Sequence, residues 1–405
     1  MKIQKIKIEN FKGIDELEFK PRMINLIIGK NNTGKTSLLE AIDLHIGAGL
    51  SNRKEHIASL IKVNSYESVI ELTVDGEERV LKLKRPDREK IIIEFKKHML
   101  TNIKNLQKHY PPELFSRLDE NDIQELEKIL DIVLNQEMII DEILQESISI
   151  IDDGVESVVF SVQLFRNSKI EKFMIEYSKK INEHLSKKNN KMQILPYHFI
   201  LGEMDFKDIG TERNKCSFIK QLLPLSPLLK ETPAERANII YKIDEIIKKY
   251  NLVQNIKKFD TNFLIFEYEN GQPSAVPFSF MGDGFKAMVS LLRFMLSEKS
   301  VNKIILLEEP EIRMHPAYIR DLINFIIKFS HEMKLQFFIT THNIDFIESF
   351  LDDFLPMEAV RYIDNELLIL RMEKGGVANH MIPDFFDRKE AIEKKDKLFF
   401  DLRGV

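Results

Sequence analysis

The spacing of apolar and polar residues predicts buried strands at both ends of the chain. Residues 2–8 alternate with a period of two, and 23–29 ("MINLIIG") form a continuous apolar run. Two further apolar runs, 301–310 ("VNKIILLEEP") and 335–343 ("LQFFITTHN"), each end in polar residues. Runs of this kind are typical of strands that are buried on both faces. With helical periodicity between them, they predict an α/β fold around a parallel sheet.

The middle of the chain has a different pattern. Residues 68–85 alternate on both sides of an Asp-Gly pair, which predicts a β-hairpin, and 90–96 ("KIIIEFK") predict one more strand. From about 97 to 150 the apolar period becomes helical, with an interruption at Glu137. Heptad-like spacing relates Ile123, Leu126, Leu130, Val133, Ile140 and Leu144. This spacing predicts a short helical arm rather than a long coiled coil.

The order of these patterns predicts how the chain divides. Residues 155–177 fit either a second hairpin or a strand that leads into a helix, and 284–298 and 316–331 predict helices. Loop, strand and helix signals at the two ends belong to one core, and the middle is inserted into it. Three segments are expected: an N-terminal part with a β-rich lobe (1–96), a mainly helical insertion (97–192) and a C-terminal part (193–405).

The stretch "GKNNTGKTS" (29–37) has the spacing of a phosphate-binding loop. Its glycines let backbone N–H groups point inward at phosphate oxygens, while Lys35 supplies positive charge and Thr36 a hydroxyl for Mg²⁺. The loop lies between an apolar strand and an amphipathic helix, which is the context that this motif requires. Nucleotide binding is expected of Gly29, Asn31, Asn32, Thr33, Gly34, Lys35, Thr36 and Ser37.

Two acids and a histidine end the later strands. Glu308 and Glu309 follow one apolar strand, and His342 follows the next. The carboxyl edge of a parallel sheet is where ligands bind. We therefore expect Glu308 to hold Mg²⁺ through water, Glu309 to orient or deprotonate the attacking water, and His342 to contact the γ-phosphate or that water.

A second glycine pair precedes a predicted helix in "SFMGDGFKAM" (279–288). Gly282 and Gly284 fit two interpretations equally well, an ordinary turn or a second anion site at a helix N-terminus. Because one nucleotide does not need two such loops from one chain, the second interpretation requires two copies that face each other.

Composition restricts the class of protein. The 405 residues carry 30% charged side chains and a net charge of −5, with 43% hydrophobic residues. We find no run of 18 or more apolar residues, so no membrane span is expected. One cysteine, Cys216, makes no internal disulfide, and a cytoplasmic location is expected.

Charge is unevenly distributed along the middle of the chain. Residues 79–108 carry ten Lys/Arg and three Asp/Glu, whereas 113–153 carry two and thirteen. A second basic run covers 178–191. Solvated helix faces and a surface for a nucleic-acid backbone explain this pattern equally well. Under the second interpretation the DNA contacts would come from Lys82, Lys84, Arg85 and Arg88.

Taken in order, these motifs resemble an ABC-type ATPase head of the SMC/RecF/OLD group, most closely an OLD-like ATPase. The resemblance rests on "IKIENFKGIDELEF", "GKNNTGKTSLLEAI", "SFMGDGFKAM", "LLEEPEIRMHP" and "TTHN". It implies an ABC-type P-loop head with a β-rich lobe, a parallel-sheet core and a short helical insertion. It also implies a homodimer that holds ATP and Mg²⁺ between its subunits, with Lys12 near the phosphates and Gly282 and Gly284 acting on the partner's nucleotide.

Some features depart from that group. Position 308 is Glu where most such ATPases have Asp, and Met281 rather than serine precedes Gly282, with Ser279 as a substitute. The Q-loop glutamine is not identifiable, and only location suggests Gln163 or Gln193. About 63 residues follow His342, without the acids of the Toprim nuclease domain of OLD proteins. The expectation is an OLD-like ATPase without its own nuclease, and the resemblance implies that such an ATPase acts with a separately encoded effector such as a nuclease.

Three functions compete at this point. The first is a dimeric ATPase that senses DNA or a foreign component and controls an effector, in defence against phages or in DNA repair. The second is a nucleotide-gated scaffold that binds nucleic acid with little turnover. The third is a small-molecule P-loop kinase, which the separation of about 270 residues between loop and acids argues against.

Overall fold

The computed structural model describes most of the chain. The residues that it describes are 1–46, 57–109, 118–134, 137–152, 154–160, 164, 167–186, 194–195, 216–219, 232–260, 262–267, 272–296, 303–312, 314–352, 355–375 and 380–398.

Strands and helices are numbered in chain order. The strands are β1 (Ile3–Phe11), β2 (Ile14–Phe19), β3 (Ile24–Ile28), β4 (Glu67–Val74), β5 (Glu77–Lys84), β6 (Ser147–Asp152), β7 (Val155–Phe160), β8 (Cys216–Ile219), β9 (Ile256–Phe259), β10 (Phe263–Glu267), β11 (Pro273–Pro277), β12 (Ile304–Glu308), β13 (Gln336–Thr341), β14 (Leu367–Gly375) and β15 (His380–Phe386). The helices are α1 (Lys35–Ile46), α2 (Arg88–His109), α3 (Glu120–Leu134), α4 (Glu137–Gln145), α5 (Ser168–Ser186), α6 (Pro233–Lys249), α7 (Asp283–Leu296), α8 (Pro316–Met333), α9 (Ile344–Leu351), α10 (Met357–Glu366) and α11 (Arg388–Leu398). Short 3-10 helices cover Ile57–Leu60 and Phe278–Phe280.

A six-stranded sheet forms the centre of the molecule, in the order β15-β14-β3-β13-β12-β8. Its strands are parallel except for β15, which pairs antiparallel with β14. Strands β3, β12 and β13 are buried along almost their whole length, as their apolar runs predict. The predicted parallel-sheet core of an α/β fold is confirmed.

A second six-stranded sheet forms the β-rich lobe. It is antiparallel throughout, in the order β2-β1-β4-β5-β6-β7. The predicted hairpin is β4–β5, where Glu77 pairs with Val74 across the turn. Strands β6 and β7 lie within the segment expected to be mainly helical, and they complete this sheet.

The two faces of the central sheet have different partners. Ile304 and Leu306 of β12 point toward α1 and the lobe, whereas Ile305 and Leu307 point toward a layer that contains α6 to α11. Alternation along a strand accounts for this division. The phosphate-loop helix and the lobe thus share one face of the sheet, and the C-terminal helices cover the other.

The insertion has a hydrophobic core of its own, formed by α2, α3, α4 and α5. Residues 90–96, expected to be a strand, lie in α2, and this prediction is wrong. Ile91, Phe95, Met99 and Ile103 are all fully buried at a spacing of four. One helical face therefore packs into this core, and its packing overrides the strand preference of three consecutive isoleucines.

Other local expectations have mixed outcomes. The segment 155–177 is a strand that leads into a helix, β7 and then α5, rather than a hairpin. Helix α2 begins at Arg88, nine residues before the expected start of the insertion. The exact boundaries of the three segments remain predictions.

Candidate functional site

The phosphate-loop sequence connects β3 to α1 in a conformation that only glycine allows at its first position. Gly29 has φ 139° and Gly34 has φ 100°. A Cβ atom on Gly29 would lie 2.2 Å from the carbonyl oxygen of Met372, in neighbouring strand β14. That distance is far shorter than a van der Waals contact. The loop can pass directly against β14 only because residue 29 is a glycine, which has no side chain. Asn32 also has positive φ, at 62°.

Lys35 crosses the inside of this loop. Its Nζ donates hydrogen bonds to the carbonyl oxygens of Gly29 and Lys30, each at 2.7 Å. Burial lowers the pKa of Lys35, and the carboxylates of Glu309 and Glu308 partly oppose that shift. The ammonium therefore lies within electrostatic reach of both acids that end β12.

Thr36 is in direct contact with Glu308. The Thr36 hydroxyl donates to Oε1 of Glu308 at 2.5 Å, across 272 residues of sequence. Glu308 alternates with Ile304 and Leu306, so its side chain points to the α1 face. The structure thus brings together the two side chains expected to hold Mg²⁺.

Glu309 and His342 form a pair at the same edge of the sheet. Nδ1 of His342 lies 2.8 Å from Oε1 of Glu309. Because a carboxylate oxygen can only accept, Nδ1 carries the hydrogen. Glu309 has φ 45°, a conformation that costs about 1–3 kcal/mol for a non-glycine residue and is concentrated at functional sites. Its backbone N–H donates to the Thr340 carbonyl at 2.9 Å, which fixes the turn after β12 on β13.

Sequence reasoning missed Glu311, two residues beyond Glu309. Its side chain is buried, and it accepts a hydrogen bond from the Thr341 hydroxyl. Burial is the main reason that the pKa of Glu311 rises to about 7. The sequence signal was the third acid in "EEPE", but only the packing reveals that this acid is buried.

We expect Glu311 to make stability depend on pH. Its folded pKa of about 7 exceeds the ordinary glutamate pKa of 4.5, so the native protein keeps a proton that the unfolded chain releases between these values. Stability should therefore fall as pH rises through this interval. Compared with Glu311→Gln, the parent should lose about 2–3 kcal/mol of unfolding free energy between pH 5 and pH 8. Urea unfolding at both values measures it.

The control for this prediction is Glu358→Gln, because Glu358 is an exposed acid at the start of α10. Its difference from the parent should be the same at both pH values. An equally pH-independent difference for Glu311→Gln would show that Glu311 is ionised in the native protein at pH 5.

Lys12 lies beside the loop but is engaged elsewhere. It occupies the β1–β2 turn with φ 49°, and its Nζ forms an ion pair with Glu40 of α1. The next residue, Gly13, packs against the loop: a Cβ there would lie 3.9 Å from Cα of Gly34 and from Oγ of Ser37. The turn thus borders the loop, and contact of Lys12 with phosphate remains a prediction.

The second glycine pair differs from expectation in one respect. Helix α7 begins at Asp283, so Gly282 precedes the helix, whereas Gly284 lies in its first turn and is buried. A Cβ on Gly282 would meet nothing within 4 Å, and Phe280, two residues earlier, is 79% exposed. This turn presents a glycine and an aromatic ring to the surface.

Other predicted residues complete the description. Thr33 donates to the carbonyl of Lys30 at 2.9 Å, and Asn31 and Asn32 are exposed on the loop. Gln163 and Gln193 lie outside the residues that the structure describes.

The basic stretch 79–108 is partly neutralised within the molecule. Nζ of Lys84 lies 3.5 Å from Oε1 of Glu156, which also pairs with Lys90. Lys96 of α2 pairs with Asp131 of α3, in the acidic stretch. These pairs favour solvated helix faces over a free basic surface. Of the residues expected to contact DNA, Lys82 and Arg88 are exposed, and DNA binding remains a prediction.

The described residues include neither a membrane-spanning helix nor a cluster of metal-binding side chains. None of the helices in that part of the chain is both long enough and apolar enough to cross a membrane. No group of three or more His, Cys, Asp and Glu side chains there could hold a metal ion by itself.

Comparison with known proteins places these features in context. The profile of the AAA ATPase domain family matches residues 1–347, which include the loop, the acids and His342. An ATP/GTP phosphatase of Helicobacter pylori is 22% identical over 375 residues, 85% of this chain and 86% of that protein. The DNA replication and repair protein RecF of Desulforamulus reducens is 37% identical over 84 residues, 20% of this chain and 22% of RecF.

Two solved structures show a more distant likeness. An SMC head bound to the C-terminal winged-helix domain of ScpA has a TM-score of 0.46 and 13% identity, and the alignment covers 97% of this chain and 100% of that one. The SMC head of Thermotoga maritima has a TM-score of 0.40 and 12% identity, with 95% and 99% covered. TM-scores this low support no conclusion about function, and the assignment to a family rests on the sequence matches.

Proposed function

Because the chain belongs to the AAA ATPase domain family, we propose that it works as an ABC-type ATPase of the SMC/RecF group, in which two copies close on ATP and open after its hydrolysis. In this proposal each copy binds one nucleotide in its own loop and covers the nucleotide of the other. The cycle would serve as a switch that controls a separate effector protein.

One observation carries the proposal. The Thr36 hydroxyl meets the Glu308 carboxylate at 2.5 Å, and the Glu309–His342 pair lies at the same sheet edge. The side chains expected to bind phosphate, to hold a metal and to act as a base therefore lie close together in one chain, which supports the proposal. A mere binding scaffold would not need the base beside the metal ligands.

The donor set fits Mg²⁺. A hydroxyl and one carboxylate are hard oxygen donors, and Mg²⁺ typically takes one or two carboxylates plus phosphate oxygens and waters. Thr36 and Glu308 would hold the ion, which would neutralise charge on the β- and γ-phosphates. The close passage of the loop at Gly29 fits backbone N–H groups that surround those phosphates.

The proposed chemistry uses Glu309 as a general base. Its carboxylate accepts a proton from a water molecule while that water oxygen attacks the γ-phosphorus and the bond to ADP breaks. His342, which donates to Oε1, orients the carboxylate so that its other oxygen faces the water. Lys35 stabilises the negative charge on the phosphates.

The exposed turn at Gly282 supports the second half of the proposal. Neither its backbone nor Phe280 is covered within the described part of the chain, and Ile312, after the acids, is also 53% exposed. We propose that Gly282 and the N-terminus of α7 approach the nucleotide of the partner. Because Gly284 has no side chain, it would let the first turn of α7 come close to that nucleotide.

Mixing two inactive variants tests whether the pocket is shared. Lys35→Ala removes one chain's phosphate contact, and Gly282→Glu places a repulsive charge on the turn that faces the partner's nucleotide. A heterodimer of these variants has one complete pocket out of two. Random pairing at equal amounts should therefore restore about a quarter of the parental ATPase rate. A mixture that stays as inactive as its components would contradict a shared pocket.

The resemblance and the relatives support a proposed biological setting. The H. pylori relative is described as a phosphatase for ATP and GTP, and RecF as a DNA replication and repair protein. We propose a cytoplasmic OLD-like ATPase that responds to DNA or a foreign component and acts through an effector such as a nuclease. Its role would lie in antiviral defence or DNA repair.

A further inference from the structure

A chain of hydrogen bonds connects the turn after the acids to the segment that carries His342. The backbone N–H of Asn343 donates to the Thr341 hydroxyl oxygen at 3.0 Å, and that hydroxyl donates to Oε1 of Glu311. The Thr341 hydroxyl has one hydrogen, so these two contacts fix its direction. Asn343 in turn caps α9 by accepting from the N–H of Phe346 at 3.2 Å.

This chain of bonds runs beside the catalytic pair. His342 lies between Thr341 and Asn343 in the sequence, and its side chain contacts Glu309. Glu309 and Glu311 lie in one turn, which is closed by the hydrogen bond from the Ile312 N–H to the Glu309 carbonyl at 3.1 Å. Two side-chain contacts thus connect this turn to the segment that carries His342. Glu309 and His342 meet at the surface, and Glu311 and Thr341 meet in the interior.

We propose that Glu311 is a positioning residue that acts through the Thr341 hydroxyl to hold His342 in register with Glu309. The proposal rests on the proposed function of Glu309 as the base. Glu311 itself would touch neither nucleotide nor water, because its side chain is buried below the turn.

The burial of Glu311 supports a role beyond packing. Its Oε2 has no hydrogen-bond partner within the described residues, so a polar atom is desolvated without compensation. An apolar side chain of similar size would fill the same space without that cost. Packing alone therefore does not explain an acid at this position, whereas its hydrogen bond with Thr341 does.

The neighbouring residue provides a matched control. Thr340 is as deeply buried as Thr341, but its hydroxyl makes no hydrogen bond within the described part of the chain. Thr340→Val and Thr341→Val therefore remove the same atom from adjacent positions. Only the second change breaks the connection to Glu311.

We expect Thr341→Val to lower kcat for ATP about 10- to 100-fold while the KM for ATP changes less than about threefold, since the loop is untouched. Thr340→Val should change kcat less than about threefold, and Thr341→Ser should restore most of the rate that Val loses. Glu311→Leu should resemble Thr341→Val, whereas Glu311→Gln keeps an acceptor and should lose less. Steady-state kinetics on the full chain, with thermal melting of each variant, measures this.

The double variant Glu311→Leu/Thr341→Val separates positioning from general damage. If the two residues act as one unit, its kcat should equal that of the worse single variant. Losses that multiply, or an equal loss in Thr340→Val, would overturn the proposal. If Thr341→Val does not fold, the comparison of Glu311→Gln with Glu311→Leu decides: equal rates would overturn it.

Failure of the proposed function would look different. Glu309→Gln is measured in the same series. A parental rate in that variant would remove Glu309 as the base, whatever Thr341 does. A strong loss there, combined with parental kcat in Thr341→Val, would overturn only the positioning role of Glu311.

Discussion

Glu309→Gln should lower the rate of ATP hydrolysis by about 10² to 10⁴, which is the range that a general base contributes. Glutamine keeps the size of the side chain and an oxygen for the 2.8 Å contact with His342, but it cannot take a proton from water. ATP binding should survive, because Lys35 and Thr36 are unchanged. Steady-state phosphate release measures the loss.

The same variant should accumulate as a closed dimer. With ATP and Mg²⁺ its mass in solution should be twice the 47.5 kDa of one chain, and without nucleotide it should be lower. Glu358→Gln, an exposed acid on α10, should behave like the parent in both measurements. A Glu309→Gln protein that turns over at the parental rate would exclude Glu309 as the base, and one that stays monomeric with ATP would exclude the nucleotide-gated dimer.

Lys35→Ala should weaken ATP binding by about 10² to 10⁴. The ammonium would make two or more charged hydrogen bonds to phosphate oxygens, each worth about 1.5–3 kcal/mol. Its present contacts, to the carbonyl oxygens of Gly29 and Lys30, hold it inside the loop where those phosphates would bind. Calorimetric titration with ATP and Mg²⁺ measures the change in Kd.

Lys30→Ala is the matched control for this change. Lys30 is an exposed lysine of the same loop, so its removal alters the net charge equally but leaves the buried ammonium in place. Its effect on Kd should stay within about threefold to fivefold, as expected for a screened surface charge. Equal losses in the two variants would show that the loop attracts ATP only through its net charge.

Local patterns were enough for the parts of the fold and site that local physics controls. The apolar runs of β3, β12 and β13 predicted buried strands because period and burial are encoded residue by residue. The hairpin β4–β5 followed from its alternation and its Asp-Gly turn. The failure at 90–96 shows the limit: three isoleucines favour a strand, but the spacing of Ile91, Phe95 and Met99 suits a helix once α3 to α5 supply a core.

Charge was harder to interpret from the sequence than hydrophobicity. From the sequence, the basic run 79–108 and the acidic run 113–153 fit solvated helix faces and a surface for a nucleic-acid backbone equally well. In the structure Lys96 pairs with Asp131 between them, and Lys84 and Lys90 share Glu156. Whether a charged side chain is available to a partner molecule depends on which other side chains face it. Those side chains come from distant parts of the sequence, so a local pattern does not reveal them.

The amino-acid sequence alone determined the chemistry available: a phosphate loop, two acids at a strand end and a histidine after the next strand. Only the tertiary structure decided how they meet. The parallel register that aligns Glu308 with Thr340 lets the Thr36 hydroxyl reach Glu308 across 272 residues, and the same packing buries Glu311 against Thr341. Contacts this distant in sequence depend on the whole sheet having formed, because each strand pairs according to its neighbours and not according to its own pattern.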